Sequence, residues 1–96
     1  DFLPVLTYDL KTRNEFARLT MKKQVELLFE NGNHLLSRIF MFYSVHLYAY
    51  SGFYAEIWYR QADNRIDRVV MLESETVLDL YSGQIDLSDL NKTIGL

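Results

Sequence analysis

The segment VHLYAYSGFYAEIWYRQADNRIDRVVML, residues 45–72, decides the fold, because its apolar and polar residues alternate around two candidate turns. We expect residues 50–52 to form a three-residue loop in which Gly52 supplies a positive φ. Leu47 then faces Ala55, and the hairpin sorts into two faces. The first face holds Val45, Leu47, Ala49, Phe53, Ala55, Ile57 and Tyr59. The second face holds His46, Tyr48, Tyr54, Glu56, Trp58 and Arg60. A two-residue Ser-Gly turn would mix these sets by placing Leu47 beside Glu56.

The neighbouring segments extend this hairpin into a meander. A turn at residues 62–65 would pair Ile57 with Val70 and Arg60 with Asp67. Upstream, residues 35–44 also favour a strand, but one strand from residue 35 to residue 49 would be about 50 Å long. We therefore predict a bend between Phe40 and Tyr43, and a three- to four-stranded antiparallel sheet over residues 35–72.

Helical signals lie on both sides of the sheet. Thr12 and Glu15 match a capping box, and Thr20 is a second cap that would divide residues 12–31 into two helices. Gly32 would end this region in the left-handed conformation. After the sheet, residues 74–91 favour a short helix capped by Ser74 or Thr76 and a final helical turn. Residues 1–11 read as an extended arm.

The predicted fold class is α+β, with one or two N-terminal helices packed on one face of the antiparallel meander and a short C-terminal helix. The N-terminal helix would cover Val45, Leu47, Ile57 and Val70. With 96 residues and 49% hydrophobic composition, the chain fits a single domain over residues 1–96.

Composition excludes several classes of protein. The chain has no cysteine, and therefore no disulfide framework, thiolate metal site or cysteine nucleophile. Its net charge is -3, and residues 49–96 carry eight acidic and four basic groups, which disfavours a nucleic-acid partner. The uncharged run Ile39–Ala55 is 17 residues long, but its polar residues and period of two argue against a membrane span.

The second face of the hairpin is the first candidate site. Tyr48, Tyr54 and Trp58 would lie together there, with Arg60 at the margin, and three exposed rings would make an adhesive patch. The sequence leaves three readings open: the C-terminal helix covers the patch, a partner covers it, or it forms a small-molecule pocket. The partner would most simply be a second copy of the chain.

A second candidate is the pair His46 and Glu56, which the preferred register places opposite each other. Such a pair serves acid-base catalysis, yet the chain lacks a nucleophile motif, a metal motif and a phosphate loop, so a plain polar pair is the alternative. His34 follows the predicted helix, and a two-histidine metal site would need a carboxylate from elsewhere. We therefore expect no metal and no cofactor.

The run from Phe40 to Tyr43 is either a buried bend or a docking point for a partner or a membrane. Three segments, LLFENGNHL, HLYAYSGFYAEIWYR and YSGQIDLSDL, together resemble small bacterial proteins of unknown function over residues 19–90. That resemblance implies no activity or site. The order of helices before a meander is also similar to RelE-type ribonuclease toxins, but those rely on basic catalytic residues and this chain is acidic.

The sequence thus predicts a small, cytoplasmic, non-enzymatic protein-interaction domain. It would self-associate, as a homodimer, through the aromatic face of the sheet. Two alternatives remain: a ligand-binding or catalytic domain built on His46 and Glu56, and a RelE-like toxin.

Overall fold

The computed structural model describes residues 12–84, and the predicted arm and final helical turn lie outside them. Residues 12–17 form helix α1, followed by α2 (Met21–Asn31). A four-stranded sheet then runs through β1 (Asn33–Phe40), β2 (Tyr43–Tyr50), β3 (Phe53–Arg60) and β4 (Ile66–Leu72). Helix α3 (Ser74–Tyr81) follows. All pairings are antiparallel in the order β1-β2-β3-β4, so the α+β prediction is confirmed.

The ends of α2 follow one sequence signal and depart from another. The Thr20 side chain accepts a hydrogen bond from the Lys23 amide at 3.2 Å, which confirms the cap that separates α1 from α2. Gly32 has φ of -84°, so the predicted left-handed ending is wrong. Glycine is needed there for space, because a Cβ would lie 2.6 Å from the Leu28 carbonyl oxygen.

The first hairpin contains the predicted bend. β1 and β2 are joined by Met41 and Phe42, and Phe40 pairs with Tyr43. Met41 adopts a φ of 53°, an uncommon value for a residue with a side chain. The bend is therefore confirmed, although no residue in it is typical of turns.

The second hairpin has the turn that the sequence argument rejected. Ser51 and Gly52 form a two-residue connection with φ values of 50° and 87°, and Leu47 lies opposite Glu56. The three-residue loop is therefore wrong. Two consecutive residues with positive φ match the right-handed twist of the flanking strands, and this geometry outweighs the cost of placing serine there.

The register of the third pair is also shifted by one residue from the prediction. Ile57 pairs with Val69, where Val70 was expected, and Trp58 pairs with Arg68. An irregularity between Trp58 and Tyr59 follows.

Helices cover both faces of this sheet. We call the side beneath α1 and α2 the N-helix face; its buried residues are Phe16, Val25, Leu28, Phe53, Ala55 and Ile57. The opposite side, the α3 face, has a second cluster of Leu47, Leu72, Val77 and Tyr81. The prediction that the N-terminal helix covers Val45, Leu47 and Val70 is wrong. The two-residue turn moves Val45 and Leu47 to the α3 face, and the shifted register of β4 moves Val70 there. Within residues 12–84 no helix has the length and apolar character needed to cross a membrane.

Candidate functional site

The predicted catalytic pair is not assembled. His46 lies opposite Ile57 on the N-helix face, whereas Glu56 lies opposite Leu47 on the α3 face. Successive residues of a strand point to opposite sides of the sheet, so the correct turn separates the imidazole from the carboxylate. The expectation of a His46–Glu56 contact is therefore wrong.

Glu56 instead forms the centre of a buried cluster with Arg38, Trp58 and Tyr81, which we call the Glu56 cluster. The Glu56 side chain is 1% exposed. Arg38 donates to both carboxylate oxygens, through Nε at 3.1 Å and Nη2 at 3.2 Å. Trp58 Nε1 donates at 3.0 Å and the Tyr81 hydroxyl at 2.7 Å. The carboxylate thus accepts four hydrogen bonds, two of them from a guanidinium.

The protonation of the partners fits a structural role. Burial and the hydrogen bond to Glu56 raise the pKa of Tyr81, so its hydroxyl keeps its proton and donates. Burial opposes the charge of Arg38, but the hydrogen bonds and charge of Glu56 outweigh that effect and raise the pKa of Arg38. Arg38, Trp58 and Tyr81 all donate to the same carboxylate, so the cluster links β1, β3 and α3.

The predicted aromatic face is divided between the two sides of the sheet. Trp58 is 9% exposed and contacts Arg38 and Arg68, whose guanidinium carbons are 5.3 and 4.7 Å from the centre of the indole ring. Tyr54 packs against the apolar cluster of the α3 face. Cover by the C-terminal helix is one of the three alternatives that the sequence allows. Tyr48 lies on the N-helix face.

Arg60 is not part of an aromatic surface either. Its guanidinium forms an ion pair with Asp63 in the turn between β3 and β4. The hydrogen bonds that Arg60 donates to Asp63 and the negative charge of Asp63 raise the pKa of Arg60. Arg60 therefore stabilises a turn, and the four residues predicted to form an interface do not share one exposed patch.

A different set of polar side chains comes together on the N-helix face. His34 and Ser37 of β1 lie beside His46 of β2, and we call these three residues the histidine cluster. His34 and Ser37 are three positions apart and would point to opposite faces of a regular strand. A β-bulge at Leu35 changes this, because the register shifts between His34 and Leu36 and turns His34 to the face of Ser37.

The three polar atoms of the histidine cluster form a nearly equilateral triangle. Nε2 of His34 is 3.1 Å from Nδ1 of His46, and the Ser37 hydroxyl is 3.4 and 3.2 Å from these two nitrogens. Burial and the nearby charge of His34 lower the pKa of His46 below its ordinary value of 6.5.

Two tyrosine rings hold the imidazoles in place. Tyr48 lies edge-on to His34 and Tyr59 lies edge-on to His46, each at 5.3 Å between ring centres. Burial raises the pKa of both tyrosines, so their hydroxyls are protonated at neutral pH. The histidine cluster is thus a fixed arrangement with two tyrosine rings beside it.

The end of the first hairpin is strongly apolar and exposed. Its four residues, which we call the apolar tip, are Ile39, Phe40, Met41 and Phe42. Met41 is 72% and Phe42 80% exposed. The Phe40 ring contacts Trp58 edge-on at 5.8 Å, which anchors the tip to the sheet. The sequence allows either a buried bend or a docking point, and in the structure the bend lies at the surface.

Sequence reasoning missed the histidine cluster because it placed His34 between the helix and the sheet. No residue near Leu35 signals a bulge, and the periodicity of β1 alone would separate His34 from Ser37. Residues 12–84 contain no group of three or more histidines and carboxylates around one point. The cluster is therefore built from two imidazoles and one hydroxyl.

The chain was compared with protein-family models, curated proteins and solved structures, and none of them matches. The resemblances noted from the sequence remain predictions.

Proposed function

We propose that this protein is a non-enzymatic interaction domain that self-associates through the β1 edge of its sheet and the apolar tip. The observation that carries the proposal is the second half of the β1 edge. Natural edge strands are kept apart by outward charges, prolines, bulges, inward-pointing charges or short length. β1 is eight residues long, with a bulge at Leu35 in its first half and one charged side chain, Arg38, that turns inward to Glu56. Its last two residues, Ile39 and Phe40, are exposed and apolar and lead into the apolar tip.

The other edge of the sheet differs. β4 carries Asp67 and Arg68, both exposed, which discourages pairing with another strand. In β1 the exposed residues near the turn are Ile39 and Phe40, which are apolar. The β4 edge thus has exposed charges that limit association, whereas the β1 edge has exposed apolar residues that suit a partner.

A second copy of the chain is the occupant that this edge fits best. Two β1 strands paired antiparallel about a two-fold axis present the same surface to each other, which gives a closed, self-complementary contact. The main-chain groups supply hydrogen bonds, and the apolar tip supplies surface that is removed from water.

One hydrogen bond within the chain occupies a backbone carbonyl of this edge. The Gln84 side chain donates to the Ser37 carbonyl at 2.8 Å, so a partner strand must replace that bond. Replacement of Gln84 by alanine should therefore strengthen dimer formation.

The proposal is tested by light scattering coupled to size exclusion across a concentration series. We expect the wild-type chain to dimerise, and Phe42→Lys or Ile39→Lys to raise the dimer dissociation constant about tenfold or more by burying a charge at the contact. Met21→Lys is the matched control, because Met21 is an exposed apolar residue at the first position of α2, the end of that helix away from its junction with β1. A wild-type chain that stays monomeric at high micromolar concentration would rule the proposal out.

A further inference from the structure

The histidine cluster has fewer hydrogens for bonding than its triangle of polar atoms has edges. A neutral imidazole nitrogen has either a hydrogen or one lone pair, and a hydroxyl has one hydrogen. With one of the two facing nitrogens protonated, two hydrogens serve three short edges of 3.1, 3.2 and 3.4 Å. If both nitrogens carried hydrogens, the two N–H groups would face each other. Two hydrogen bonds therefore account for two edges of the triangle, and the third edge is a van der Waals contact.

The same distances suit coordination. At a metal–nitrogen distance of about 2.05 Å, two nitrogens 3.1 Å apart subtend an angle of about 100° at the metal. This angle lies between those of square-planar and tetrahedral centres. The Ser37 hydroxyl lies at the third corner of the same face, where it can act as a weak third donor.

The residues around the histidine cluster fix the positions of its donor atoms. The Leu35 bulge brings His34 onto the face of Ser37 and His46, and bulges commonly re-aim side chains at functional sites. The edge-on contacts with Tyr48 and Tyr59 fix the rings. His34 and Ser37 are exposed, so an ion from solution can reach them and water can occupy the remaining positions.

We propose that the histidine cluster binds a divalent transition-metal ion through Nε2 of His34 and Nδ1 of His46. Imidazole ligands suit copper, nickel and zinc, and Cu²⁺ should bind most tightly in the order expected for divalent ions. Mg²⁺ and Ca²⁺ require oxygen ligands and should not bind here. This site uses side chains of the N-helix face, whereas the proposed self-association uses the main chain of the β1 edge and the apolar tip.

The test is a Cu²⁺ titration of untagged protein, followed by calorimetry and by electron paramagnetic resonance. The chain has two histidines in total, so each single variant leaves one imidazole. We expect one Cu²⁺ per chain with two nitrogen ligands, and His34→Gln or His46→Gln should leave one nitrogen and weaken binding about 100-fold, since a second ligand on a rigid scaffold acts at high effective concentration.

A control variant with the same number of histidines tests whether Cu²⁺ binding depends on their positions or only on their number. The double variant Asn33→His/His34→Asn keeps both histidines but moves one to the neighbouring position, which faces the other side of the sheet. It should bind Cu²⁺ as weakly as His34→Gln, with circular dichroism confirming the fold. Binding as tight as wild type in this control, or wild-type binding no tighter than in the single variants, would overturn the proposal.

Discussion

The carboxylate of Glu56 joins three elements, because its hydrogen-bond donors come from β1, β3 and α3. Arg38 is 18 residues before it and Tyr81 is 25 residues after it. A buried carboxylate is stable only when paired and hydrogen-bonded, and here both conditions are met. No described buried side-chain polar atom in residues 12–84 lacks a partner.

Substitution Glu56→Gln should therefore destabilise the fold strongly. The amide removes the charge that Arg38 requires and places N–H donors against donors, so we expect a loss of about 3 kcal/mol in the free energy of unfolding. Urea titration followed by circular dichroism measures this change. Glu30→Gln, at an exposed position of α2, should change the value by no more than about 0.5 kcal/mol. Similar losses in both variants would contradict the role of Glu56.

His46 makes stability depend on pH in a defined direction. Its pKa is lowered in the folded chain, first by burial and then by the charge of His34, so the unfolded chain binds more protons below about pH 6.5. The free energy of unfolding should rise with pH through this window, and it should fall as the pH drops from about 7 to about 5.5. Urea unfolding of wild type and His46→Gln measures the difference. An equal pH slope in both proteins would show that His46 does not contribute.

At the scale of elements, the junction of α2 and β1 depends on close approach. Gly32 donates its N–H to the Leu28 carbonyl at 2.9 Å, and the chain turns directly into β1. A side chain at Gly32 would push this carbonyl away and disturb both the helix end and the strand start.

We expect Gly32→Ala to lower the free energy of unfolding by about 1–3 kcal/mol, the usual cost of forcing an extra carbon into a packed site. Gly83→Ala is the control, since a Cβ there would meet no atom within 4 Å. That variant should be neutral or more stable by up to about 1 kcal/mol, because alanine restricts the unfolded chain. Thermal unfolding of both proteins measures the contrast, and equal effects would contradict the steric argument.

The type and order of the elements were predictable from the sequence, whereas the registers were not. The cap at Thr20 and the bend after Phe40 are local signals, and both appear where expected. Register was inferred by sorting apolar from polar residues, a rule that works when one face of a sheet meets water. Here helices cover both faces, so Leu47 and Glu56 are buried side by side.

The candidate sites were predicted incorrectly because they depended on the register. The predicted aromatic face and the predicted His46–Glu56 pair both depended on a three-residue loop at residues 50–52. The structure has a two-residue turn instead, in which Ser51 adopts a positive φ. Glu56 reads as a surface residue until Arg38 and Tyr81 are placed around it, and no local pattern places them. Side-chain clusters built from distant segments are therefore the part that a single sequence predicts least well.

At the scale of the whole molecule, one sheet serves two clusters of buried side chains, so the two sides should unfold together. Leu28 is fully buried on the N-helix face, while Trp58, the single tryptophan of the chain, reports on the α3 face. Successive residues of β3 point to opposite faces of the sheet, so this one strand contributes side chains to both clusters.

Substitution Leu28→Ala should lower the free energy of unfolding by about 2–5 kcal/mol through the cavity it leaves. We expect tryptophan fluorescence and circular dichroism to give the same shifted midpoint, as cooperative small domains do. A fluorescence midpoint that stays at the wild-type value would show that the α3 face unfolds independently.

The bulge at Leu35 has a genetic consequence. A chain that lost this one residue would continue β1 in regular alternation, with His34 still opposite Tyr48 and Ser37 still opposite His46. One codon deletion would thus straighten the strand and leave the two imidazoles on the same face. A gene that lost the codon for Leu35 should therefore still encode the metal-binding arrangement, whereas a second codon lost between His34 and Ser37 would part the imidazoles.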